Sequence, residues 1–186
     1  MRRRSLLLVA GAGALAACST PGKGPADPAA RRREIDAAVD GALANLYANT
    51  KGARELAAKA DGILVFPEIV SAGFVVGGSY GQGELRKAGV TVGYYSVGAG
   101  SVGLLAGAQT KSMILLFMTP ESLRKFESSY GWTAGVDASV VVFDTGAAAS
   151  VSTETARTPI IGFVRSTAGL MANLSLDGTK FNRLAL

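Results

Sequence analysis

Apolar positions along the chain change period once, and that change divides it. From Ala29 the residues Ile35, Val39, Leu43, Leu46 and Tyr47 recur at spacings of three and four, one apolar stripe on a helix. Asp27 followed by Pro28 suits an N-cap and first-turn position. Asn49-Thr50-Lys51-Gly52 breaks the pattern, and Ala53 to Ala60 predicts a second helical segment ending near Asp61-Gly62. Beyond it the helical period is gone. The run Ile63-Leu64-Val65-Phe66 ends at Pro67. Phe74, Val75 and Val76 follow among Gly73, Gly77 and Gly78, then Val90, Val92, Tyr94 and Tyr95 around Gly93. Such runs bounded by glycine and polar turns read as buried strands. Glycine repeated inside strands marks bends, bulges or close backbone approach, as a tightly curved sheet requires. The expectation is that Gly73, Gly77, Gly78 and Gly93 serve backbone geometry and packing.

The stretch from Lys59 to Thr119 is thus the centre of the protein. Ser112 to Met118 reads as a buried strand. Thr119-Pro120-Glu121 opens a helix, with Thr119 as N-cap, that runs through Leu123 and Phe126 to Ser129 and ends near Gly131. Further strands are expected over Val136–Phe143, Ala147–Thr153, Pro159–Arg165, Leu170–Leu176 and Lys180–Leu184. The fold class is α+β: an antiparallel-rich, strongly curved, glycine-rich sheet, barrel-like or sandwich, with an N-terminal helical segment and one further helix near residues 120–130.

The N-terminal residues follow another logic. Arg2, Arg3 and Arg4 form a positive region, Leu6 to Leu15 a short apolar one, and small residues precede Cys18. This is the layout of a secretory signal, too short for a comfortable membrane span. Leu15-Ala16-Ala17-Cys18 resembles a bacterial lipobox. That resemblance implies cleavage before Cys18, lipidation of its sulfur and acylation of the new terminus; an ordinary signal peptide with a chance cysteine is the plainer alternative. Several acyl chains anchor stably where one is marginal. Ser19, rather than Asp, after the cysteine implies transport to the outer membrane, facing the periplasm. Arg3-Arg4-Ser5-Leu6-Leu7 loosely resembles a twin-arginine signal, which leaves the export route open. The division expected is a signal peptide at residues 1–17, a Pro/Gly-rich flexible tether at 18–28 and one domain at 29–186.

Composition narrows the chemistry. Of 186 residues 48% are apolar and 18% charged, as in a globular body. Without Arg2, Arg3 and Arg4, 16 basic residues face 14 acidic ones, a net of +2, too balanced for a nucleic-acid-binding face. The chain has no histidine and one cysteine. His-based triads, His metal sites, intrachain disulfides and Cys-cluster metal sites are therefore excluded. No catalytic residue, metal or cofactor is expected. Gly98-Ala99-Gly100-Ser101-Val102-Gly103 matches G-x-G-x-x-G, but small residues continue past it without a helical pattern, so a bent strand pair is the better reading than a nucleotide site. Asp61, Glu68, Glu84, Asp137, Asp144 and Asp177 are scattered, mostly beside turns, and no spacing selects a carboxylate pair. Tyr94, Tyr95 and Trp132 read as core or rim aromatics, with a membrane-interface role for Trp132 as the alternative.

Arg31, Arg32 and Arg33 stand at the start of the first helix, where the macrodipole disfavours positive charge. Beside a membrane tether they suit anionic head groups. The plain reading is a solvated helix start balanced by Glu34 and Asp36.

Several motifs recur in order: Ile63-Leu64-Val65-Phe66-Pro67, the segment Ala72 to Gly81, Gly107-Ala108-Gln109, Leu116-Phe117-Met118, Gly131-Trp132 and Gly169-Leu170-Met171-Ala172. Together they resemble the SYLF domain family, from about Ala29 to the C-terminus. The resemblance implies a non-enzymatic domain that binds membrane lipid. Eukaryotic members bind phosphoinositides, and some bind and bundle actin; bacterial members are typically exported, often as lipoproteins. It also implies a role in lipid binding for the N-terminal helix and nearby basic residues, here Arg31, Arg32, Arg33, Lys51, Arg54 and Lys59. Neither actin nor phosphoinositides are expected where such a leader would send the chain, so the partner expected is anionic membrane lipid. An envelope protein–protein interaction module is the alternative.

Overall fold

The computed structural model describes residues 27–73, 76–102, 107–145, 158–166 and 176–186. Cys18 and the expected strands at 147–153 and 170–175 lie outside these residues. Among the described residues there are three helices, α1 (Pro28–Asn49), α2 (Ala53–Ala57) and α3 (Pro120–Ser128). The strands are β1 (Gly62–Gly73), β2 (Val76–Lys87), β3 (Val90–Val102), β4 (Gly107–Phe117), β5 (Trp132–Thr133), β6 (Val141–Asp144), β7 (Ile160–Ser166) and β8 (Lys180–Leu184). They form one strongly curled half-barrel sheet in the order β5-β8-β3-β2-β1-β4-β7-β6. All its strand pairs are antiparallel except β6 with β7.

Local signals place the helices. Asp27 accepts a hydrogen bond from the Ala29 amide through Oδ1 at 3.2 Å, and Pro28 opens α1. Thr119 Oγ1 accepts from the Ser122 amide at 3.2 Å, and Pro120 opens α3. The stripe of α1 buries Ile35, Val39, Leu43 and Leu46, a gain of roughly 1.5–3 kcal/mol for each fully buried side chain. With Leu56 of α2, these residues pack on Val65, Ile114, Leu116, Ile161 and Phe163 of one sheet face. The other face, inside the curl, holds Leu64, Phe66, Met113, Leu115 and Phe117 against Phe126, Trp132 and Phe181. Both faces are covered here, so β1 begins as a continuous apolar run in which Leu64, Val65 and Phe66 are all fully buried.

The strand does not stop at Pro67, as its sequence suggests; it continues to Gly73 across a bulge. Val65 pairs with Glu84 and Glu68 with Gln82, so Phe66 and Pro67 together face the single residue Gly83. A proline is tolerated at a bulge, where the ladder is already interrupted. The extra residue also shifts parity, which is why Leu64, Phe66 and then Ile69 share one core. Gly83 is required: a Cβ there would collide with the Val65 carbonyl. Gly81 meets the Glu68 carbonyl similarly, at 2.6 Å. Of the four glycines singled out from the sequence, Gly73 is as crowded, Gly93 is tight at 3.3 Å from a Tyr95 ring carbon, and Gly78 has only ordinary contact at 3.8 Å.

Two further expectations change. The strand expected over 136–143 is confined to Val141–Asp144, because Thr133 donates its amide to the Asp137 carboxylate and closes a turn through Gly135 at φ +80°. Trp132 has no membrane-interface role: it is 1% exposed and packs edge-on against Phe126 and Phe181.

Candidate functional site

The first half of α1 lies over β2 and β3, and a polar network seals that contact. Along β2 the residues Tyr80, Gln82, Glu84 and Arg86 alternate onto the face that α1 covers. Arg31 donates from Nε and Nη2 to Gln82 Oε1 at 2.9 and 2.6 Å, and Gln82 Nε2 donates to the Tyr80 hydroxyl at 2.7 Å. One turn further along, the Tyr94 hydroxyl donates to Asp36 Oδ1 at 2.9 Å. Arg86 bridges Glu84 and Asp40, the latter at 2.7 Å, and Thr91 Oγ1 donates to Glu84 Oε2 at 3.1 Å.

Glu84 is the unusual member. Its side chain is fully buried in the middle of a strand, not beside a turn. Burial, with the Asp36 carboxyl beside it, pushes its pKa up to about 7, against the pull of Arg86 and Thr91. Tyr94 is pushed up to about 12 by burial and by Asp36. The sequence does not single out this carboxylate pair, because Asp36 and Glu84 meet only when α1 docks. The signal present was Asp36 and Asp40 flanking the apolar stripe at helical spacing, opposite Glu84 and Arg86 at strand spacing. Neither of two clefts among the described residues is lined by Asp36 or Glu84, and the Glu84 oxygens are held by Arg86 and Thr91. In the fold the pair latches the helix to the sheet, through Arg86, Thr91 and Tyr94.

The basic residues expected to act together are divided. Arg31 is turned inward onto Gln82, whereas Arg32 and Arg33 are exposed and make no ion pair among the described residues. Arg32 borders a shallow cleft with Val92, Tyr94, Leu184 and Leu186. Lys51 follows the other end of α1, about 30 Å from the arginines at 1.5 Å per helical residue, and Arg54 and Lys59 lie on and after α2. Arg54 stacks over the Tyr47 ring at 4.5 Å, and Lys51 and Lys59 are exposed. One continuous basic patch is not formed. Gly98 and Gly100 lie within β3, paired with Tyr80 and Gly78, so this part of the G-x-G-x-x-G run is strand rather than a strand-to-helix turn. No described helix is long and apolar enough to cross a membrane.

Residues 98–184 match the family model of Ysc84, described as Las17-binding protein actin regulator. The matched segment runs from the end of β3 through β8; α1 and its arginines precede it. No curated protein matches the chain significantly.

Proposed function

Over residues 98–184 the chain belongs to the SYLF (Ysc84) family, whose domains are binding modules of the lipid- and actin-binding type, and from that premise we propose a lipid-anchored, non-enzymatic protein of the bacterial cell envelope whose domain contacts anionic membrane lipid. The anchor is Cys18, and the membrane is the outer one, on its periplasmic side. The observation that carries the lipid contact is the exposed Arg32–Arg33 pair at the start of α1, which makes no ion pair among the described residues. Arg31 is spent on Gln82, and Lys51, Arg54 and Lys59 belong to the far end of the helix. Each basic side chain near an anionic surface contributes about 1 kcal/mol, so the pair gives about 2 kcal/mol, roughly thirtyfold in partitioning. That is weak alone and effective once an acyl anchor keeps the domain beside the bilayer.

The test is co-sedimentation of the protein with liposomes of increasing anionic content and salt. Arg32→Ala/Arg33→Ala should lose about thirtyfold and most of the salt dependence. Arg31→Ala should lose little binding but some stability. Equal, salt-indifferent binding by all variants removes the arginines from the mechanism. A second reading has one observation in its favour: the matched family description names binding to a protein, which makes an envelope interaction module the alternative.

A further inference from the structure

The contact between α1 and the sheet holds more acid than base. Three carboxyl groups meet there, Asp36 and Asp40 from the helix and Glu84 from β2, with the single guanidinium of Arg86 among them. The other elements packed on this contact add little charge. β3 supplies the hydroxyls of Thr91 and Tyr94, β1 the apolar Ile63 and Val65, α2 Leu56, and the tail after β8 the side chain of Leu186. Arg32 acts on Tyr94, and Arg54 on Tyr47. Arg86 is committed twice, to Glu84 and, at 2.7 Å, to Asp40. The partner of Asp36 is the uncharged Tyr94 hydroxyl, at 2.9 Å.

Where the acids stand matters as much as their number. Glu84 is fixed in the middle of β2, and Arg86 and Thr91, which hold its two oxygens, belong to the same sheet. Asp36 belongs to α1. With both ionised, their repulsion acts across the helix–sheet contact, and the movement that relieves it is α1 lifting from the sheet. Lifting also returns the buried Glu84 carboxylate to water. One proton shared by the pair removes both costs.

The two halves of α1 are held by different means. Besides Ile35 and Val39, the first half is tied down by Arg31 on Gln82, Asp36 on Tyr94 and Asp40 on Arg86. The second half is held by Leu43 and Leu46, by Arg165 donating to Asn45 and by Arg54 stacked on Tyr47. None of these contacts of the second half uses a carboxylate, so a change of protonation at Asp36 and Glu84 bears on the first half alone.

We propose that the Asp36–Glu84 pair is a proton-controlled latch for the first half of α1. With one proton on the pair the helix is seated on β2 and β3; without it, residues 28–40 lift while the second half stays docked. Arg32 and Arg33 ride on the part that moves, so their placement over the sheet follows the same proton. The device is independent of what those arginines contact.

The test is hydrogen exchange of the full chain, read by mass spectrometry from pH 5 to 8.5, with exchange times scaled to the intrinsic rate at each pH. Opening exposes Glu84, whose pKa is an ordinary 4.5 in water against about 7 in the fold. The open fraction should therefore rise about tenfold between pH 6 and 8 and level off above. That loss of protection is expected at the amides of 32–40, and not at 43–49 or at Met113 to Phe117 of β4. Glu84→Gln, which keeps the neutral form, should abolish it. Asp36→Asn, which leaves β2 untouched, should reduce it. Protection of 32–40 that is indifferent to pH in the unaltered protein overturns the latch. So does a loss shared equally by 43–49 and β4, which is unfolding of the whole domain, or a tenfold change that survives undiminished in either variant.

Discussion

The two halves of the same four strands are built on opposite rules. On one side of the Phe66–Pro67 bulge both sheet faces are covered. Leu64, Val65 and Phe66 are fully buried there, and the polar groups that α1 covers are bound to one another. On the other side charge is confined to Glu68 and Lys111 beside the bulge, glycine and alanine replace bulky residues, and Val70, Val76 and Tyr80 are exposed. The difference teaches that burial in this fold is set by what lies over the sheet rather than by strand composition. Charged residues occur in the covered half because α1 brings partners for them, and past Glu68 and Lys111, next to the bulge, the described strands of the other half carry no charge.

The sharpest way to break that comparison is at the bulge. Gly83→Ala puts a Cβ into the Val65 carbonyl and should cost about 4 kcal/mol or more, measured by urea unfolding. Gly78→Ala, in the outer half with only the Ala99 carbonyl at 3.8 Å, should stay within about 0.5 kcal/mol. Equal losses at both would mean that the halves are not distinct.

Next in size is the latch. Arg86→Ala leaves the buried Glu84 carboxylate without its main counter-charge and should cost about 3–5 kcal/mol at pH 8. The loss should shrink at pH 5, where Glu84 is protonated and no anion needs compensating. A loss independent of pH would place the effect in packing alone.

A smaller effect is the pH profile of the unaltered protein. Glu84 has its pKa raised from an ordinary 4.5 to about 7, so between those values the folded state binds the proton more tightly than the unfolded one. The groups facing it are Arg86, Thr91 and Asp36, with Asp40 beyond Arg86. This contribution to stability is full below about pH 4.5 and is lost as pH rises through 7. Glu84→Gln should flatten the profile across that window in denaturant titrations. An unchanged slope would show that Glu84 ionises normally in the fold.

The smallest expected change is in the outer half. Val76→Ser, at a position 71% exposed, should alter stability by no more than about 0.5 kcal/mol, measured by urea unfolding. A large loss of stability would make this surface structural.

Much of this was decided locally and was legible in the chain. The stripe Ile35–Val39–Leu43–Leu46 and the pairs Asp27-Pro28 and Thr119-Pro120 declare their helices, because caps and amphipathic period act within a few residues. The interleaving of glycine with β-branched residues announced a curved sheet, since only glycine permits such backbone approach. Tertiary structure decided the rest. Asp36 and Glu84 are 48 positions apart and share a proton environment only because α1 docks on β2. Arg31, Arg32 and Arg33 are equivalent as a sequence, yet a helix turns successive residues by about 100°, so one meets Gln82 and two meet solvent. Lys51, Arg54 and Lys59 looked like their companions until the length of α1 separated them. Pro67 read as a stop because its missing N–H is a local fact; that the ladder had a bulge to receive it depended on Gly83, a residue of the neighbouring strand.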